Sequence, residues 1–119
     1  MLNEDDILGQ YSNKEDIIKI FNLIKNSKII KTQHFYDRIL LRDLPEELVD
    51  KTFPQVEKIK LIDKRKHKKD IGYDLYYELS NSRTLKLCFI PLKDKTLLIN
   101  AILRYRKWQG SIRLLKRRG

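Results

Sequence analysis

Several things are scarce in this chain, and each scarcity excludes something. A single cysteine, Cys88, leaves no partner for an internal disulfide and no cysteine zinc site. It also points to a reducing, intracellular (cytoplasmic) setting. No apolar run approaches the ~20 residues of a membrane span, so no membrane association is expected. The opening Met1-Leu2-Asn3-Glu4-Asp5-Asp6 lacks the basic start and apolar stretch of a signal peptide. No metal-ligand cluster stands out, and no cofactor is expected.

Acid is scarce in one half only. Residues 1–59 carry nine Lys/Arg against eleven Asp/Glu, whereas residues 60–119 carry seventeen against five. The net charge of +10 therefore resides in the second half. Arg104 to Gly119 holds seven Lys/Arg and no acid. Charge segregated in this way suits a surface that docks phosphates. A Lys-rich solvated face is the alternative. The tail has too few apolar residues in register for an interfacial membrane helix.

A length of 119 residues fits one domain with a core that needs no disulfide or metal. Residues 1–11 read as a frayed lead-in. Ser12 with Glu15 forms a capping box, and Ile17, Ile20, Phe21 and Ile24 follow at helical spacing. Thr32 caps a second helix over Gln33 to about Arg42, with Phe35 and Ile39 on one face. Asp43 caps a third, short helix with Pro45 and Glu46 in its first turn and Leu48, Val49 and Phe53 facing inward.

Beyond Pro54 the period changes. Ile59, Leu61 and Ile62 read as a strand, residues 64–70 as a basic loop, and Tyr73, Leu75, Tyr77 and Leu79 as a half-buried strand. Leu85, Leu87 and Phe89 give a third strand, and Leu97, Ile99, Ala101 and Leu103 a fourth. Short connections make these an antiparallel meander. The expected fold is α+β: N-terminal helices on one face of a four-stranded antiparallel sheet, the other face open.

Three groups of residues carry candidate chemistry. His34, Arg38 and Arg42 sit four apart, so a helix makes them one polar stripe ~12 Å long. An imidazole can take a proton from a 2′-hydroxyl or return one to the leaving oxygen. A guanidinium can hold the phosphate and its transition-state charge. The alternative is a solvated face on which Arg38 and Arg42 pair with Asp37, Asp43 or Glu46. In the second group, Arg104, Tyr105, Arg106, Lys107 and Trp108, cations alternate with rings that stack on unpaired bases; the alternative is Trp108 anchoring the tail. In the third, Lys64, Arg65, Lys66, Lys68 and Lys69 are candidates for phosphate contacts, and Tyr76 is a candidate exposed stacking ring. Cys88 reads as a buried, inert thiol.

The stretch HFYDRILLRDLPEELV, His34 to Val49, with YDLYYELSNSRTLKLCFIPLKDKTLLINAIL, Tyr73 to Leu103, resembles the small RelE-like ribonucleases of the broader barnase–colicin group of toxins. The resemblance covers most of residues 32–103. It implies metal-independent endoribonuclease activity on RNA, including ribosome-bound mRNA, and a neutralising, acidic antitoxin-like partner. It makes His34 the acid/base and Arg38 the phosphate ligand, with Arg42 catalytic or structural. Where the family pattern often has Thr at the end of its last core strand, this chain has Asn100, which donates a hydrogen bond but is no hydroxyl. Two further readings stand beside the nuclease: a non-catalytic RNA- or DNA-binding module, and an interaction subunit for an acidic protein.

Overall fold

The structure, a computed structural model, describes residues 7–105. The element order is β1 (Ile7–Tyr11), α1 (Lys14–Lys25), β2 (Ile29–Lys31), α2 (Gln33–Leu41), α3 (Glu46–Thr52), a 3-10 turn (Val56–Lys58), β3 (Ile59–His67), β4 (Asp70–Ser80), β5 (Arg83–Pro91) and β6 (Thr96–Arg104). The α+β class holds, but the sheet is not a four-stranded antiparallel meander. It has six strands in the order β1-β3-β4-β5-β6-β2. Strand β1, expected as frayed lead-in, pairs antiparallel with β3. The three residues of β2 pair parallel with β6, which makes the sheet mixed. Both added strands are too short to show a period of two, so they leave little trace in the sequence.

One face of the sheet carries the core. Ile17, Phe21 and Ile24 of α1, Phe35 and Ile39 of α2, and Val49 of α3 pack on Ile62, Leu75, Tyr77, Leu87 and Phe89. The irregular apolar pattern of β3 has a structural cause. A register shift between Ile59 and Leu61 puts Ile59 and Ile62 in the core cluster, while Leu61 lies opposite Tyr76.

Helix ends depart from expectation in two places. Asn13, not Ser12, caps α1: its side chain accepts the backbone N–H groups of Glu15 and Asp16 at 2.8 and 3.3 Å. Thr32 caps α2 through Phe35 N–H at 3.1 Å. Asp43, expected to cap α3, instead ends α2, and Pro45 occupies the α3 cap position with no side-chain bond. Asp43 takes φ 52°. Leu44 N–H reaches back to Ile39 C=O at 2.9 Å, and Asp43 N–H to Leu40 C=O at 3.2 Å. These two bonds form a Schellman turn, which satisfies the last carbonyls of the helix. Leu44 and Ile39, the apolar pair of that motif, are both buried.

Residues 64–70 are also corrected. The chain stays in strand to His67 and turns on Lys68-Lys69 alone, with His67 opposite Asp70. Lys68 stands at φ 56°. At the end of β2, Lys31 reaches α3, with Nζ 2.6 Å from Glu46 Oε2 and 2.7 Å from Asp50 Oδ1. Burial lowers the pKa of this ammonium, but its bonds to Asp50 and Glu46 outweigh that and hold it above the ordinary value.

Left-handed backbone costs an L-residue ~1–2 kcal/mol, less for Asp, and costs glycine almost nothing. Replacing Asp43 with Gly relieves that strain and, after the added unfolded-state entropy of glycine is offset, is expected to stabilise the fold slightly, read as a higher urea midpoint at unchanged m-value. An unchanged or lower midpoint would show that the Asp43 side chain contributes more than its backbone strain costs.

Candidate nucleic-acid interface

Helix α2 leaves the sheet edge beside β6. Thr32 N–H donates to Leu98 C=O at 3.1 Å, and the helix then runs alongside the strand. The buried Phe35 and Ile39 fix its rotation. His34, Arg38 and Arg42, offset from them, lie along its accessible side. His34 and Arg42 are exposed and Arg38 is half-buried. Arg38 Nε donates to His34 Nε2 at 3.2 Å, so two of the three are in direct contact. This arrangement replaces the alternative in which Asp37 engages Arg38: Asp37 Oδ1 instead accepts from Gln33 Nε2 at 2.9 Å.

Arg42 is held from the strand. Its Nη1 donates to Asn100 Oδ1 at 2.5 Å and to Ala101 C=O at 3.1 Å. Asn100 Oδ1 also accepts the Ala101 N–H at 3.0 Å. A β-bulge makes this possible. Cys88 lies opposite Asn100 but Phe89 opposite Leu98, so Ile99 is an extra residue in β6. Bulges kink a strand and re-aim side chains. Here the bulge places the Asn100 side chain and the Ala101 carbonyl within reach of one guanidinium. Burial, and then the neighbouring Arg38 charge, push the Arg42 pKa below its ordinary value. The four residues of the nuclease reading thus form two linked pairs along one edge.

The second sheet face, expected to be open, is buried and polar. Asp63 and Asp74 lie directly opposite each other on β3 and β4. Like charges so placed repel, and cations on neighbouring positions offset this. Arg65 Nε stands 2.7 Å from Asp74 Oδ2, an ion pair without hydrogen-bond alignment. Arg65 Nη2 is 3.9 Å from Asp63 Oδ2, and Lys86 Nζ is 3.5 Å from Asp74 Oδ2. Gln10 Nε2 and Tyr76 Oη each donate to Asp63 at 2.8 Å. Breaking one partner of such a network strands a charge and costs more than the network contributes.

This network corrects two expectations. Tyr76, read as an exposed stacking ring, is 3% exposed and spends its hydroxyl on Asp63. Arg65, read as a phosphate contact, is 9% exposed and tied to carboxylates. Cys88 is buried on the same face, and burial followed by the Asp74 charge raises its thiol pKa. The network had one faint signal in the sequence. Asp63 and Arg65, Asp74 and Tyr76, and Lys86 and Cys88 occupy every second position, between the core residues of three strands.

The basic segments do not converge. Lys64, Lys66, Lys68 and Lys69 surround the β3–β4 turn. Arg104, opposite Thr84, lies at the other end of the sheet, where the Arg83 guanidinium stands 5.9 Å from the exposed Tyr105 ring. Arg106, Lys107 and Trp108 lie outside the described residues. Among the described residues, no three His, Cys, Asp or Glu side chains gather as metal ligands. No helix among them is long and apolar enough to cross a membrane. Comparison with protein-family models, curated proteins and solved structures finds no match.

Burial is the main cause that raises the Asp63 pKa above its ordinary 3.8; the bonds from Gln10 and Tyr76 oppose it. Between that value and the raised one, the folded state keeps a proton that the unfolded state has released. The contribution of Asp63 to stability is therefore largest in acid and falls as pH rises through this window. Asp63→Asn cannot titrate. The stability difference between wild type and this variant, from urea unfolding at stepped pH, should move against wild type as pH rises above 3.8. A difference that moves the other way would mean that the bonds to Asp63 outweigh its burial.

Proposed function

We propose that this protein binds RNA along the α2–β6 edge and cleaves it there without a metal ion, His34 acting as acid/base and Arg38 as the phosphate ligand. The observation that carries this reading is the exposed His34–Arg38 contact on the same helix as an Arg42 locked to Asn100. A phosphodiester lying along that stripe would meet an imidazole and two guanidiniums within two helical turns. Cleavage by a 2′-hydroxyl needs a base for that hydroxyl and an acid for the leaving 5′-oxygen. It also needs cations for the charge that builds on the phosphoryl oxygens. His34 can move the proton. Arg38 can turn its guanidinium from the imidazole to the phosphate. Arg42, fixed by Asn100 and Ala101, supplies positive charge that needs no reorganisation. The reading agrees with the RelE-like resemblance of residues 34–49.

Two observations favour a purely binding role. The Nε2 lone pair that would accept the proton already accepts the Arg38 Nε–H, and Asn100 stands where the resembling family often has a hydroxyl. In that case the same residues hold backbone phosphates and cut nothing. The exposed Leu40 and Leu41, at 82% and 76%, lie on the same helix. They favour this helix as the place where an acidic, antitoxin-like protein would cover the stripe.

Incubation of RNA with the full chain in EDTA separates these readings. Wild type is expected to cut either free RNA or mRNA on translating ribosomes. His34→Ala and Arg38→Ala are expected to lose roughly 10²–10⁴-fold in rate while still binding. Salt-sensitive binding without cleavage on either substrate would establish the binding role instead.

A further inference from the structure

The strand directions bring together lysines that are far apart in sequence. The turn between β3 and β4 lies at one end of the sheet. Because β5 runs back toward that end and β6 starts from it, the β5–β6 turn lies there too. Strand β2 runs parallel to β6, so the α1–β2 connection reaches the same end. Two contacts tie it there: Thr96 N–H donates to Lys28 C=O at 2.8 Å, and Ser27 Oγ lies 2.5 Å from Thr96 Oγ1. Three separate connections therefore present Lys25 and Lys28, Lys66, Lys68 and Lys69, and Lys93 and Lys95 on one end surface.

All seven are exposed. None forms an ion pair with a described residue, whereas Lys31, Arg65 and Lys86 all do. Against them stand Asp70 and Asp94 among the described residues of these turns. With strands ~4.8 Å apart, the row from the β3–β4 turn to Lys28 is ~17 Å wide. That width matches about five successive phosphates of one strand, at ~3.4 Å each along a duplex. Lysine is a compact point charge without the planar fork of arginine, so a row of lysines suits backbone phosphates better than the patterned edges of bases. Few rings accompany these lysines, in contrast to the Arg83–Tyr105 pair at the opposite end.

We propose that this lysine end is a sequence-independent docking surface for a nucleic-acid phosphate backbone, separate from the His34–Arg38–Arg42 edge. The proposal rests on the preceding reading only for the kind of polyanion and needs no cleavage. The α2 edge starts beside Leu98, three residues along β6 from Lys95, or ~10 Å at 3.3 Å per residue. A single strand held by the lysines can continue onto the helix.

The test is the salt dependence of binding, measured by fluorescence anisotropy on the full chain. Wild type is compared with a variant carrying Lys68→Gln, Lys69→Gln, Lys93→Gln and Lys95→Gln. These are exposed positions, and circular dichroism checks that the fold is kept. The probes are a mixed-sequence single-stranded RNA and a duplex DNA. With RNA, the slope of log K against log salt should flatten by about 0.7 for each phosphate that the variant no longer neutralises. Affinity at low salt should fall roughly tenfold for any sequence. An equal fall on the DNA would assign the surface to nucleic-acid phosphates in general; a fall on RNA alone would assign it to RNA. Unchanged slopes on both probes overturn the proposal. Because no activity is read, a chain that never cuts RNA can still pass, and one that cuts can still fail.

Discussion

The Arg42 guanidinium is the link on which the candidate site depends. It binds the end of α2 to the bulge of β6 through Asn100 and the Ala101 carbonyl. Without the extra residue Ile99, the alternation of β6 would continue unbroken and Asn100 would take a different register. Without the Schellman turn at Asp43, the helix would not end at Arg42. The bulge, the turn and the guanidinium thus act together to fix the Arg42 end of the stripe, whose rotation is set by the buried Phe35 and Ile39.

The two faces of the sheet do different work. The helical face is a close-packed apolar core, whose burial supplies most of the driving force for folding. The opposite face is a chain of alternating charge, Asp63, Arg65, Asp74 and Lys86, closed by Tyr76 and Gln10. Ionic networks of this kind contribute little net stability but penalise wrong arrangements heavily, because a one-residue slip would leave buried charges unpaired. The network takes two cations, Arg65 and Lys86, out of the pool open to phosphates, but Asp63 and Asp74 match them, so the net charge of the basic half stays on the exposed cations. Beyond the α2 stripe, these divide between the lysine end and the Arg83–Arg104 end.

How much is legible in the sequence follows from the length of each signal. The helices show because Ile17, Phe21 and Ile24 repeat at helical spacing over about two turns, and Phe35 and Ile39 over one turn behind the Thr32 cap. The four long strands show through alternation, clearest at Tyr73 to Leu79. The two short strands do not, since Ile29–Lys31 offers three residues and Ile7–Tyr11 only five. The His34–Arg38–Arg42 stripe follows from helical spacing alone. The tie of Arg42 to Asn100 does not, because it joins residues 58 apart in sequence through a bulge that no local pattern announces. Tyr76 and Arg65 escape the sequence for a related reason. Alternation places a residue on the second face of a strand but does not tell whether that face meets solvent.

The most direct test of RNA binding along the α2–β6 edge is residue-resolved. Amide chemical shifts of the full chain would be followed during titration with a short single-stranded RNA that carries a 2′-deoxy block to cleavage. The largest changes are expected along residues 33–42 and at the β6 bulge, 98–101, with smaller changes around the β3–β4 and β5–β6 turns. Changes confined to the turns, with α2 and the bulge unmoved, would contradict it and leave His34 and Arg38 as parts of a solvated helix face.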